Sequence, residues 1–157
     1  MNRSMDPRAD WLVADELAPT LAGGLAPLYT AAAKGRLAMP FCGSCSAVLE
    51  LDQDVCDECG SDRVTWRDVT PVGTVHSVTR VHRREPSLIR TDIPYYVLDV
   101  ELDSQHRLVM TTTRPVQGPI RIGDRVAIGF RTVGGVAVPA ADVERPSPQD
   151  APTEAIP

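Results

Sequence analysis

Lysine is almost missing from this sequence, with Lys34 alone, and acidic residues outnumber Lys and Arg by 21 to 16, for a net charge of −5. Binding to phosphate backbones draws its affinity from clustered cations, so this balance counts against a dedicated nucleic-acid binder. Aromatic residues make up only 4%, which leaves any core to aliphatic side chains. No apolar run approaches the roughly 18 residues of a membrane helix, and Asp6 and Asp10 stand where a secretory signal would carry its apolar segment. The expected location is therefore the cytoplasm, off the membrane. Neither a Gly-x-Ser-x-Gly elbow nor a phosphate loop occurs, so no familiar catalytic constellation is legible. A length of 157 residues suits one ordinary domain, or a small core with a metal-stapled satellite, and excludes a large multidomain enzyme.

What the sequence does have is four cysteines in two close pairs, Cys42-Gly-Ser-Cys45 and Cys56-Asp-Glu-Cys59. In a reducing compartment that grouping favours metal ligation over disulfides. A two-residue spacing lets each pair form a knuckle whose tight turn aims both sulfurs at one ion, and two knuckles complete a tetrahedron. Cys42, Cys45, Cys56 and Cys59 are thus the expected ligands of a structural Zn2+ in a zinc ribbon. Four sulfurs leave no open position for water or substrate, so the ion itself is not expected to catalyse. Iron also suits such a set. Gly60 supplies positive-φ freedom after the second pair, where Ser46 follows the first. Between and after the knuckles, Ala47 to Leu51 and Val64 to Trp66 are expected strands.

Before the cysteines, Leu25, Leu28, Tyr29 and Ala32 fall at i, i+3, i+4 and i+7, a single helical stripe ending at Gly35. So short a helix is marginal alone. It packs either on its own domain or on a partner, and the stripe is the partner-binding candidate. From Pro71 the period changes to two. Pro71 to His82 is rich in β-branched residues, with Gly73 marking a bulge or bend. Tyr96, Leu98, Val100 and Leu102 alternate with Tyr95, Val97, Asp99 and Glu101. Asp103-Ser104-Gln105 reads as a hairpin turn into Arg107 to Thr113, and Val126, Ile128 and Phe130 face inward against outward Arg125, Ala127, Gly129 and Arg131. About five short antiparallel strands suffice for a small barrel of OB type, with an open sandwich as the alternative.

The expected architecture is mainly β: an N-terminal arm and short helix (1–36), a rubredoxin-like zinc ribbon (37–68), a five-stranded antiparallel OB-fold barrel (69–142) and a proline-rich disordered tail (143–157). Residues 63–145 hold 12 basic against 9 acidic groups, a mild local excess. His76, Arg80 and His82 share one expected strand face. Arg80, His82, Arg83, Arg84 and Arg90 are candidates for contact with an anion such as the phosphates of CoA, since guanidinium groups bind phosphate bidentately. A solvated charged loop is the plainer reading. His106, beside the hairpin turn, is expected to be exposed.

The ordered set Gly35-Arg36-Leu37, Cys42, Cys45, Cys56, Cys59-Gly60, Trp66, Gly73-Thr74-Val75, Ser77, Thr79, Val81-His82-Arg83, Pro94-Tyr95 and Arg121-Ile122-Gly123 resembles the acyl-CoA-associated zinc-ribbon/OB-fold family, domain-of-unknown-function family thirty-five. The likeness spans about residues 22 to 140. It implies a noncatalytic accessory subunit that supports a thiolase-fold, lipid-transfer-protein-like aldolase or thiolase acting on acyl-CoA thioesters, including those of steroid side-chain degradation. Acyl-CoA would be met through the partner, and the carbon-carbon chemistry would belong to that partner. Two other classes stay open: a nucleic-acid-binding zinc-ribbon/OB protein, disfavoured by Asp99 and Glu101 on the outward face, and a stand-alone enzyme or acyl-CoA-binding protein.

Overall fold

A computed structural model of the chain describes residues 9–82 and 85–143. The expected disordered tail, apart from Val143, lies outside the described residues, as do Arg83 and Arg84. The helix forms over Ala26–Ala32 (α1), with a proline in its first turn, as the fixed φ of that residue permits. Seven strands follow: β1 Leu37–Cys42, β2 Val64–Val69, β3 Val72–Val81, β4 Tyr95–Leu102, β5 Arg107–Met110, β6 Arg125–Val133 and β7 Val136–Asp142.

β1 and β2 pair antiparallel as a two-stranded sheet, from Leu37 opposite Val69 to Cys42 opposite Val64. The expected strand over Ala47 to Leu51 does not form; Val48 makes one bridge to Phe41. Its backbone is spent otherwise. Ala47 O accepts from Cys42 N at 2.8 Å to close the first knuckle, and the chain turns at once, with Gln53 N donating to Glu50 O at 3.1 Å. The strand that β2 needs comes instead from before the first cysteine pair.

The remaining strands form one sheet in the order β5-β4-β3-β6-β7, antiparallel between neighbours. A parallel bridge between Thr112 and Ala141 nearly closes it into the OB-type ring. Alternation puts Tyr96, Leu98, Val100 and Leu102 inside with Val75, Leu108, Met110, Val126 and Ile128. Leu28 of α1 and Leu37 and Met39 of β1 belong to this same cluster, so helix, ribbon and barrel share one core.

Three local expectations are corrected. The bulge in β3 falls at His76, between the Val75 and Ser77 pairings, rather than at Gly73. Gly73 serves close approach instead, because a Cβ there would stand 2.5 Å from Glu101 O. Arg131 does not face solvent: its Nη1 binds the fully buried carboxylate of Asp10, in the N-terminal arm. His106 is buried at 3% exposure, its Nε2 2.8 Å from Pro40 O and its Nδ1 2.9 Å from Ser104 Oγ. A carbonyl can only accept, so Nε2 carries the proton and Nδ1 accepts from the hydroxyl. The side chain crosses from the β4–β5 turn to the ribbon, where its ring meets Phe41 edge to face at 4.9 Å.

The described part of the arm is held by specific contacts. Asp10 Oδ2 accepts from the Leu12 and Val13 amides at 3.0 and 2.7 Å, Trp11 Nε1 donates to Thr112 O at 3.1 Å, and Val13 bridges to Ile89. Among the described residues no helix is long and apolar enough to cross a membrane.

Candidate metal centre

The two cysteine pairs build matching turns. Cys42 N donates to Ala47 O and Ser46 N to Cys42 O at 2.8 and 2.9 Å. In the second turn Cys56 N donates to Ser61 O and Gly60 N to Cys56 O, both at 2.8 Å. The residue closing each turn has positive φ, 71° at Gly60 and 64° at Ser46. Ser46 thus occupies the position a glycine would take, in a region that side chains rarely adopt.

These turns bring all four sulfurs within 4.8 Å of one another, with Cys42 to Cys59 and Cys45 to Cys56 both at 3.6 Å. That is too far for a disulfide bond, at about 2.05 Å. It is close to the edge of a tetrahedron of sulfurs about 2.3 Å from a central ion, roughly 3.8 Å. Cys42 and Cys56 are buried, whereas Cys45 and Cys59 face solvent. Donors surround the first sulfur: Cys45 N and Ser44 N lie 3.5 and 3.3 Å from Cys42 Sγ. These amides lower the Cys42 thiol to about 6, the Cys45 amide acting most strongly. Cys45 is pushed up to about 12: the Ala47 amide favours its thiolate, but hydrogen bonding with Cys59, burial and the neighbouring Cys42 and Cys56 outweigh it. Four cysteine sulfurs this close could hold a metal ion, and the donor set and geometry fit a zinc-sized tetrahedral ion.

The other expected site residues are scattered. The bulge at His76 shifts the alternation of β3, so Arg80 pairs with Tyr96 and lies over its ring at 5.8 Å. His76 turns to the opposite side, where its Nδ1 accepts from Arg107 Nη2 at 2.8 Å. Arg107 also binds Asp99, and that bond holds the Asp99 carboxyl below its usual range. The shared His76, Arg80 and His82 face is therefore broken. Arg90 is engaged by the arm, donating to Asp10 O at 3.2 Å and pairing with Asp15 at 3.1 Å, while His82 is exposed. On the helix, Leu28 and Ala32 are buried at 3% in the chain's own core, and Leu25 and Tyr29 keep partial exposure. Sequence reading missed the Asp10–Arg131 pair, whose members lie 121 positions apart with no local signal linking them.

With this geometry established, the relatives are informative. Residues 66–131 match the family described as the ChsH2 C-terminal OB-fold domain. No curated protein matches the chain. A solved structure described as the Ltp2-ChsH2(DUF35) aldolase is similar at 25% identity and TM-score 0.68, over 79% of this chain and 97% of that one. Together, the matched barrel and that near-complete overlap make the chain similar to DUF35-type OB-fold proteins.

Proposed function

We propose that this chain is a noncatalytic accessory subunit that binds and supports a thiolase-fold, lipid-transfer-protein-like aldolase or thiolase acting on acyl-CoA thioesters, with the carbon-carbon chemistry performed by that partner. The observation that carries the reading is the overlap with 97% of a chain of the Ltp2-ChsH2(DUF35) aldolase. Steroid side-chain thioesters are the proposed substrates of the complex, and the cytoplasm its proposed site. Cys42, Cys45, Cys56 and Cys59 would hold a structural Zn2+. Their role is to pin the knuckles so that β1 and β2 present a fixed surface beside the barrel. The arm and helix (1–36), ribbon (37–68) and barrel (69–142) are the proposed working units. For the partner contact, Leu25 and Tyr29 remain candidates; Leu28 and Ala32 would act by shaping the helix from beneath. Arg80, His82 and Arg90 are the exposed members of the proposed anion contacts among the described residues, and Arg83 and Arg84 beside His82 complete the proposed set.

Co-expression with a thiolase-fold aldolase from the same organism tests this. The expected result is a co-purifying complex that cleaves a CoA thioester, with no turnover by this chain alone and a poorly soluble or inactive aldolase without it. A specific pair should bury at least about 1,000 Å² of total surface. Turnover by the isolated chain, or failure to pair with any thiolase-fold protein of that organism, would refute the accessory role.

A further inference from the structure

The four sulfurs of the metal centre differ in what can reach them. Cys42 and Cys56 are buried at 0% and 1% exposure, whereas Cys45 and Cys59 face solvent. Each exposed sulfur has a buried one beside it on the other knuckle: Cys45 lies 3.6 Å from Cys56, and Cys59 lies 3.6 Å from Cys42. Metal ligation holds cysteines as thiolates. With an ion in place, access and surrounding charge therefore decide which sulfur an oxidant meets productively.

Surrounding charge separates the two exposed sulfurs. Ser44 and Ser46 flank Cys45 in sequence, and an arginine holds each hydroxyl: Arg63 Nη2 donates to Ser44 Oγ at 2.9 Å, and Arg67 Nη2 donates to Ser46 Oγ at 3.2 Å. Neither guanidinium has a carboxylate partner among the described residues. Cys59 instead follows the exposed carboxylates Asp57 and Glu58. Hydrogen peroxide is uncharged and reaches both sulfurs, but attack on it expels hydroxide, an anion that nearby unmatched cations stabilise and nearby carboxylates do not. We propose that Cys45 is a peroxide-reactive thiolate and Cys56 its resolving partner, so that hydrogen peroxide converts the metal-bound ribbon into one closed by a Cys45–Cys56 disulfide.

The Cys45 thiolate attacks one peroxide oxygen, the O–O bond breaks, hydroxide leaves and a sulfenic acid remains. The Cys56 thiolate, 3.6 Å away, attacks the sulfenic sulfur and expels a second hydroxide. Two electrons pass from the two sulfurs to the peroxide, giving one disulfide and two hydroxides. Sulfurs joined in a disulfide are no longer thiolate ligands, so the site loses two of its four donors and releases its ion. The new link spans both knuckles, as the ion did. This inference rests on the metal reading of the four cysteines and is independent of the accessory role.

Bound zinc is first measured in the full-length chain, and its absence would refute the metal site and this inference with it. The zinc-loaded chain is then treated with stoichiometric hydrogen peroxide at neutral pH, with and without dimedone, which traps sulfenic acids. The expected result with dimedone is an adduct on Cys45. Without it, about one ion should reach a chromogenic chelator per disulfide formed. Cleavage before Asp52 and Asp57 separates the first knuckle, Cys56 and Cys59 into different peptides, so mass and fragmentation place the link. A Cys45–Cys56 link is expected. Replacing both cations, Arg63→Gln with Arg67→Gln, should slow adduct formation at Cys45 severalfold while zinc content is unchanged. An adduct first on Cys59, a link within either knuckle, or no zinc release overturns the proposal. An unchanged rate in the double variant overturns the role given to the arginines.

Discussion

At the scale of single residues, two kinds of site separate by what a sequence can express. The cysteine cluster is legible because the spacing is itself the turn: two intervening residues and a positive-φ closing residue dictate where both sulfurs point. Replacing Cys42 or Cys59 with serine should reduce bound metal from about one ion per chain to none and unfold the ribbon, since structural zinc sites contribute folding energy directly. Elemental analysis and the circular dichroism of the purified variants check this. His106 shows the opposite case. Beside a polar turn it reads as solvent-exposed, yet it is buried because Pro40 supplies an acceptor across 66 positions. Burial lowers its pKa below the ordinary value of about 6.5, so the unfolded chain takes up a proton more readily than the folded one. Stability from this residue is present above about pH 6.5 and is lost as pH falls through the folded value. His106→Phe should remove that part of the pH dependence while costing about 0.5–1.5 kcal/mol at neutral pH, because Pro40 O loses the His106 hydrogen bond and keeps that of the Leu49 amide at 3.2 Å. Urea midpoints of the two proteins between pH 7.5 and 5.5 should converge as pH falls, and parallel curves would exclude His106 as the source.

At the scale of elements, period and turn chemistry disclose what is local. The alternation of β4, the turn at Asp103-Ser104-Gln105 and the Gly134-Gly135 connection are written in consecutive residues, and the structure places them there. Pairing partners are not written that way. β2 joins β1 rather than the segment between the knuckles, and the His76 bulge reverses the faces of the later half of β3, because register is set by contacts with β4. The arm is illegible for the same reason: its order rests on Asp10 receiving two local amides and one distant guanidinium. Asp10→Ala leaves the Arg131 charge buried and unpaired, so a loss of about 3–5 kcal/mol is expected. A urea titration measures it. The helix carries a related lesson, since Leu28 faces the shared core and Leu28→Asp should unfold the protein rather than merely detach a partner. A surface test of partner binding belongs on Leu25 or Tyr29.

At the scale of the whole molecule, the division into ribbon and barrel drawn from the sequence meets a core that does not respect it. Leu37 and Met39 of the ribbon lie in one buried cluster with Leu98, Val100 and Met110 of the barrel, and His106 ties the barrel turn to Pro40 of β1. A ribbon held only by its metal would unfold alone when the metal is removed. One that shares a core exposes the barrel's apolar residues as it leaves, so the two should unfold together. Methyl-labelled methionine separates these cases, because Met39 reports on the ribbon and Met110 on the barrel, and both are buried. Under urea the two signals should lose native intensity at the same midpoint, and adding a strong chelator should shift both midpoints downward together. A chelator that releases Met39 while Met110 keeps its native shift and midpoint would show two independent units. In that case the ribbon would be an appendage. With coincident midpoints, the metal site stabilises the barrel at a distance, and a cysteine substitution should weaken every surface the chain offers to a partner.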